Sequence, residues 1–304
     1  MTAGPRVVIG IPAYEAVEHL PEALESLLSQ RFAGLAIVVT DDSTSDEPGH
    51  VVRRYAQRDP RIVYHRNERR LGMAANWRAA FLLARKRFPA MEMFAWGSDH
   101  DAWHPRWLAQ LVMALDSHPE AVMAYPRGFR IDGDGRVLRA PWSFETDGIA
   151  SPRRRLKLAV EGMSAGNMVY GLYRADALAR AGIFRSVLAP DRLLLTELAL
   201  QGQFVQVPDV LWYRRFSTEV SNSRQRMSLF AGRPPLHSSL PWWVVHSAVL
   251  AWTTVVRRSA APAVGPAQGA IIALTHIEVS ARRAARRRRQ RLTKAVRRRR
   301  RRRR

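Results

Sequence analysis

Cysteine is absent from all 304 residues, which excludes disulfides, zinc–thiolate sites and a cysteine nucleophile. A glycine-rich phosphate loop is missing too. The turn after the first apolar run reads "GIPAYE", without the GxGxxG fingerprint that lets a pyrophosphate approach a helix, and no GxxxxGK(S/T) stretch occurs. A dinucleotide-dependent dehydrogenase and a P-loop enzyme are thereby set aside. So is a sugar-nucleotide nucleotidyltransferase, which would want a glycine- and basic-rich first loop. No apolar run reaches the ~20 residues needed to span a bilayer; "PWWVVHSAVLAWTTVV" (241–256) stops short. No apolar signal segment precedes the first strand-like run, so the expectation is a cytoplasmic protein. Finally, acids are missing from residues 282–304, which hold fifteen arginines and Lys294. Sixteen of the net +23 charges sit in that tail, and the other 281 residues carry only +7. Such a block is expected to stay disordered, available to anionic surfaces.

What is present is a core-forming chain, 47% hydrophobic, in which short apolar runs alternate with helical patterns. "RVVIGI" (6–11), "LAIVVT" (35–40), "RIVYH" (61–65) and "MEMFAW" (91–96) read as strands. Between them, 20–30, 47–58 and 71–88 have helical spacing. This alternation predicts βαβ units and a mostly parallel sheet flanked by helices. A helix over 104–119, a ribbon turning at "DGDG" (132–135), a helix over 152–161, a strand "NMVYGLYR" (167–174), a helix over 190–202 and a last strand pair over 203–216 follow. From about 221 the character changes to a helical, partly apolar extension, with a hinge at 262–269, running into the basic tail.

In an open α/β sheet ligands sit at the carboxyl ends of strands. The polar residues gather there: "DDSTSD" (41–46) after the second strand and "SDHD" (98–101) after the fourth. Capping of the next helix is the plainer reading of each. However, a cap needs one such residue, and Asp99 and Asp101, two apart, can aim at one hard cation such as Mg²⁺ or Mn²⁺.

Together the stretches "VVIGIPAYEAVEHLPEALESLLSQ", "IVVTDDSTSD", Asn67-x4-Gly72-x3-Asn76, "SDHDAWHPRWL", "PDRLLLTELALQG" and "VPDVLWYRRF" recur in the order found in family 2 glycosyltransferases of the GT-A fold, so residues 6–216 resemble that family. The resemblance implies an inverting, metal-assisted transfer of sugar from a nucleotide-diphosphate sugar to an acceptor hydroxyl. Pro12, Ala13, Tyr14 and Glu15 then lie along the nucleotide, and Asp41 and Asp42 resemble the pair that holds its base. Asn76 joins this donor-binding set. Asp99 and Asp101 resemble the metal-binding DxD element. Asp191 matches the catalytic base at the start of a late helix, and Arg214 and Arg215 stand where a basic residue meets the diphosphate. Glu15 in place of a common Asn, Pro190 in place of Glu, and His100 at a register where an acid usually sits are the departures.

By itself Asp191 reads first as a helix cap. Glu197, six residues further, is expected to point elsewhere and to tolerate Gln. The expected units are a GT-A domain over 1–220, a helical extension over 221–281 and the tail 282–304. The acceptor is left open as a saccharide, a lipid-linked intermediate or a small molecule. The apolar helix and the tail are expected to attach the chain to an anionic membrane at its inner face. The rival readings are a non-catalytic domain of the same fold and a nucleic-acid binder. The tail lacks the interleaved aromatics of single-strand binders, so no specific nucleic acid is expected.

Overall fold

The computed structural model describes residues 4–132, 136–139, 143–215, 222–261 and 264–302. Four β-branched or apolar runs form the parallel half of one sheet: β1 (Val7–Ala13), β2 (Leu35–Asp41), β3 (Ile62–Arg66) and β4 (Met93–Trp96). They are connected by α1 (Leu20–Leu28), α2 (Glu47–Ala56) and α3 (Met73–Arg87). Their order is β3-β2-β1-β4, all parallel. The chain therefore steps outward from β1 to β3 and then crosses back to β1's other side. That reversal leaves a crevice at the carboxyl ends of β1 and β4, the switch point where ligands of such sheets bind. Gly10 of β1 is required by packing, since a Cβ there would stand 2.6 Å from the Phe94 ring.

β1 and β2 are continuous apolar runs because both faces are covered. Ile9, Ile11, Ile37 and Val39 pack with Leu20, Leu24 and Leu27 of α1 on one side. Val8 and Val38 pack with Phe81 of α3 on the other. The second half of the sheet is mixed. β5 (Ala102–Trp103), α4 (Trp107–Ser117), β6 (Ala121–Ile131), β7 (Val137–Arg139), α5 (Pro152–Gly162), α6 (Ala165–Met168), β8 (Leu172–Arg174), α7 (Ala175–Arg180), α8 (Pro190–Gln201) and β9 (Gln203–Arg215) follow in turn. The order continues β4-β8-β6-β9-β5, with β7 on β6. β8 runs antiparallel to β4 and β6, while β6 and β9 pair in parallel over most of their length. Most paired residues thus lie in parallel ladders, as expected.

Two readings change. The stretch 167–174 is a strand only from Leu172, because β4 offers just Met93, Phe94 and Ala95 as partners. Asn167 and Met168 instead close a helical turn on the Ser164 carbonyl. The last strand pair is one strand, β9, whose register slips between Val207 and Val210, around Pro208, which has no N–H for the ladder. The ribbon turn lies, apart from Asp132, outside the described residues.

The extension comprises α9 (Asn222–Leu229), a 3₁₀ turn at Leu236–Ser239, α10 (Trp242–Ala251), which passes into a π-helical segment Trp252–Val256, and α11 (Pro266–Arg302). Leu250, Ile272 and Val279 pack on Leu156 and Val160 of α5 and Leu193 and Leu200 of α8. This explains the nearly all-apolar run of α8, whose residues Leu193–Leu200 are buried on every side. The tail expected to be disordered continues α11 as far as Arg302. No Gly or Pro occurs after Gly269, and Ala and Arg are among the better helix formers. No described helix is long and apolar enough to cross a membrane.

Candidate active site

At the switch point the loops after β1 and β4 touch: the Tyr14 N–H donates to Asp99 Oδ2 at 3.1 Å. Here lies a cavity of about 290 Å³ lined by Pro12, Tyr14, Asp42, Arg70, Asn76, Asp99 and His100, among others. Its floor is a buried polar frame. Asp42 accepts the backbone N–H groups of Leu71 (2.6 Å) and Gly72 (2.8 Å) and the Asn67 amide (3.0 Å). Asn76, 2% exposed, donates to the carbonyls of Ala13 (3.2 Å) and Thr40 (3.0 Å) and accepts from Asn67. Gly72 is needed here, because its φ is +85° and a Cβ would stand 2.5 Å from the Ala231 nitrogen. The expected binding residues Asp42 and Asn76 therefore act first by fixing the Asn67–Gly72 loop.

Asp41 lies beneath this frame, where Oδ1 accepts the Ser43 N–H at 2.9 Å and Oδ2 the Tyr64 hydroxyl at 2.7 Å. Burial, together with Asp41's hydrogen bond and charge, pushes the Tyr64 hydroxyl up to about 12. Ala13 closes β1. Glu15 takes the left-handed conformation, φ 52°, which Asn adopts more readily. Its carboxylate compensates locally by accepting from Thr44 and Ser45, and the Thr44 hydrogen bonds hold it below the usual carboxylate range.

The DxD pair divides. Asp101, 1% exposed, spends Oδ1 on the Arg215 N–H (2.8 Å) and Oδ2 on the Trp212 indole N–H (3.1 Å). It ties the loop to β9 and does not line the cavity. Arg215, expected at the diphosphate, is likewise turned inward, to Glu22 at 2.5 Å and the His100 carbonyl at 3.1 Å. Asp99 faces the cavity, with Oδ1 2.6 Å from His100 Nδ1, while His100 Nε2 is 3.8 Å from Asp101 Oδ1. Burial lowers the His100 pKa, but Asp99's hydrogen bond and the charges of both acids outweigh it, leaving it above its ordinary value. Among the described residues no three His, Asp or Glu converge as a metal cluster. Asp99 remains as a carboxylate donor, and one suffices for Mg²⁺ or Mn²⁺ that completes its shell with phosphate oxygens and water.

The cavity shares Met73, Trp77 and Tyr170 with a larger cleft of about 1460 Å³. Asp191 lines this cleft from the first turn of α8, just after Ala189 in the left-handed region. Arg214 stands beside it, donating to Asn167 Oδ1 at 2.7 Å. Gly166 separates the two: a Cβ there would be 3.6 Å from the Arg214 guanidinium and 3.9 Å from Asp191 Oδ2. Burial is the largest influence on the Asp191 carboxyl and holds it above the usual range, against the Arg192 N–H and the charges of Arg192 and Arg214. A carboxylate so placed is a better proton acceptor than one in water. Glu197, by contrast, is fully buried and paired with Arg185 at 2.8 Å, so it points away from the cleft as expected but is not a free surface group.

Several site residues escaped the sequence reading. Arg70, stacked 4.5 Å from the Tyr14 ring centroid, sits inside the Asn67–Gly72 motif and was findable there. Asn167 and Tyr170 were hidden in a segment read as strand. Trp77 had no signal beyond a helical apolar position.

A β3-β2-β1-β4 sheet with a ligand cavity at its switch point and an acid on a late helix is the architecture of a GT-A glycosyltransferase domain. The family model for glycosyl transferase family 2 matches residues 8–176, and the chain belongs to that family. An uncharacterized glycosyltransferase of Methanocaldococcus jannaschii is 25% identical over 137 residues, 44% of this chain and 46% of that protein. An uncharacterized glycosyltransferase, EpsJ, of Bacillus subtilis is 36% identical over 73 residues, 24% of this chain and 21% of its own. The chain thus spans less than half the length of these curated relatives. Among solved structures, S. aureus TarS 1–349 in complex with UDP superposes with TM-score 0.56 at 14% identity, covering 90% of this chain and 89% of that one. The Pyrobaculum calidifontis mannosyltransferase PcManGT, in complex with GDP-Man and Mn²⁺, gives 0.51 at 20% identity over 93% and 85%.

Proposed function

We propose that this protein transfers a sugar from a nucleoside-diphosphate sugar to an acceptor hydroxyl, with inversion at the anomeric carbon. The observation that carries this reading is that the switch-point cavity lies against the cleft holding Asp191 and Arg214 across Gly166, the two sharing Met73, Trp77 and Tyr170 as walls. In this reading Tyr14 and Arg70 flank the nucleotide, and Arg214 meets the diphosphate with charge-assisted hydrogen bonds. Asp191 takes the acceptor proton as that oxygen attacks the anomeric carbon and the bond to the diphosphate breaks. A divalent metal, when bound at Asp99, would neutralise the departing diphosphate. The UDP and the GDP-Man with Mn²⁺ in the two superposed structures support a donor and a metal of these kinds.

The same reading places the C-terminal helices on an anionic membrane from the cytoplasmic side. Trp252, Val256, Ile271 and Leu274 are 52%, 58%, 46% and 65% exposed, beside a helix that runs into the arginine block, and such attachment needs both signals.

The test is calorimetric titration of UDP and GDP with Mn²⁺ and with chelator, followed by transfer assays on Asp191→Asn. Expected are metal-dependent nucleotide binding in wild type and Asp191→Asn, and a transfer rate about 10²–10⁴-fold lower in the variant. Near-wild-type transfer by Asp191→Asn would reduce Asp191 to a helix cap. Nucleotide binding indifferent to chelator would remove the metal.

A further inference from the structure

α5 and α11 are tied together where Arg153 Nε donates to Thr275 Oγ1 at 2.9 Å. Beside that bond lies a groove of about 330 Å³, which shares no lining residue with the donor cavity or the larger cleft. Arg153, Arg154 and Lys157 line it from α5, and Thr275, Glu278 and Arg282 from α11. Its one acid among the described residues, Glu278, is taken by Arg282 at 2.7 Å. Three cations on α5 are left over, all exposed. Arg153 is held by a neutral hydroxyl. The side chains of Arg154 and Lys157 have no hydrogen-bond or ion-pair partner among the described residues. Arg155 shows the contrast: it is 5% exposed and donates to the carbonyls of Ile149, Ala150, Ala199 and Leu200. One arginine of this run therefore holds the fold, and its neighbours face the groove.

Exposed cations are ordinarily just solvated. What sets these apart is the row beside them. Ile271 and Leu274 are 46% and 65% exposed, and they share one stripe of α11 with Thr275, Glu278 and Arg282, since spacings of three, four, seven and eleven residues return to one helix face. Apolar side chains open to solvent thus run directly into a groove of net positive charge. Guanidinium and ammonium groups suit phosphate oxygens, and an apolar neighbour suits the chains attached to a lipid phosphate. We infer that this groove binds the headgroup phosphate of an anionic membrane lipid, held by Arg153, Arg154 and Lys157, with Ile271 and Leu274 against its acyl chains. The inference deepens the membrane reading above and rests on it for the presence of lipid. It also fixes which face of the domain meets the bilayer, because α5 packs through Leu156 and Val160 on α8, the helix that carries Asp191.

Amide NMR on the isotope-labelled full chain tests this, with dihexanoyl phosphatidylglycerol below its micelle concentration as the probe. Dihexanoyl phosphatidylcholine and glycerol phosphate are the controls. Phosphatidylglycerol is expected to shift the amides of residues 151–157 and 274–282 and to bind about tenfold more tightly than either control. Arg154→Gln combined with Lys157→Gln should lower that affinity about tenfold or more. The melting temperature should not change, because both side chains are exposed and make no contacts that the fold needs. Equal binding of phosphatidylcholine overturns the inference, since the charge would then not matter. Equal binding of glycerol phosphate overturns the lipid in favour of a free phosphate ester. An affinity that survives the double substitution, or shifts confined to residues 283–302, would put the lipid on the arginine block and overturn the groove. Flotation on phosphatidylglycerol vesicles separates this from the attachment itself: flotation without shifts at the groove refutes the site alone, and groove binding without flotation refutes the attachment alone.

Discussion

Replacing Asp101 by Asn separates a strand clamp from a metal ligand. Asp101 is 1% exposed and accepts two N–H groups of β9, the Arg215 amide at 2.8 Å and the Trp212 indole at 3.1 Å. An asparagine keeps one acceptor oxygen and turns an NH₂ group toward the other donor. One hydrogen bond to a charged acceptor, worth about 1.5–3 kcal/mol, is lost, and a buried N–H is left unsatisfied. Burial already raises the Asp101 carboxyl above its usual range, so the charge itself adds little, and the net loss is expected at about 2–3 kcal/mol. That is a large part of a typical 5–15 kcal/mol stability. Asp99→Asn retains an oxygen for the Tyr14 N–H but loses the charged partner of His100 Nδ1. Because the His100 side chain is half exposed, water replaces that partner and the cost should be about 1 kcal/mol, less than for Asp101→Asn, while Mn²⁺-dependent UDP binding weakens. Urea unfolding and calorimetry on both variants read the two effects. An Asp101→Asn protein with wild-type stability and no metal-dependent UDP binding would refute the clamp and restore Asp101 as a ligand.

Two further outcomes follow from buried and exposed groups. Glu197 is raised from 4.5 to about 7, chiefly by burial, against its pairing with Arg185. Because its folded pKa lies above the unfolded one, its contribution is fully present below pH 4.5 and is lost as pH rises to about 7, on the order of 3 kcal/mol. Glu197→Gln should therefore flatten the fall in unfolding stability between pH 5 and 7, and an unchanged slope would contradict this. In vesicle flotation the full chain should bind anionic but not neutral vesicles, and truncation after residue 281 should abolish binding; flotation unaffected by the truncation would exclude the arginine block as the anchor.

The parallel half of the sheet was legible because its information is local. Continuous β-branched runs are buried on both faces, helices separate them at βαβ spacing, and polar residues stand at their carboxyl ends. The acids 41–42 and 99–101 and the late-helix Asp191 were legible for the same reason, as short motifs in a set order. Roles within those motifs were not. Asp101 and Arg215 became a clamp because residues 114 positions apart meet across β5 and β9, and no periodicity records such a pairing. The strand reading of 167–174 failed because β4 is short, a property of the partner. Arg192, Arg226 and Arg283 line one cleft with Asp191 from α8, α9 and α11, far apart in the chain, and no local pattern in those helices records that they meet. Local sequence decides which segments form and which polar residues cap their ends. The tertiary structure decides which of those residues have their oxygens already engaged and which still face open space, because that depends on what packs against them.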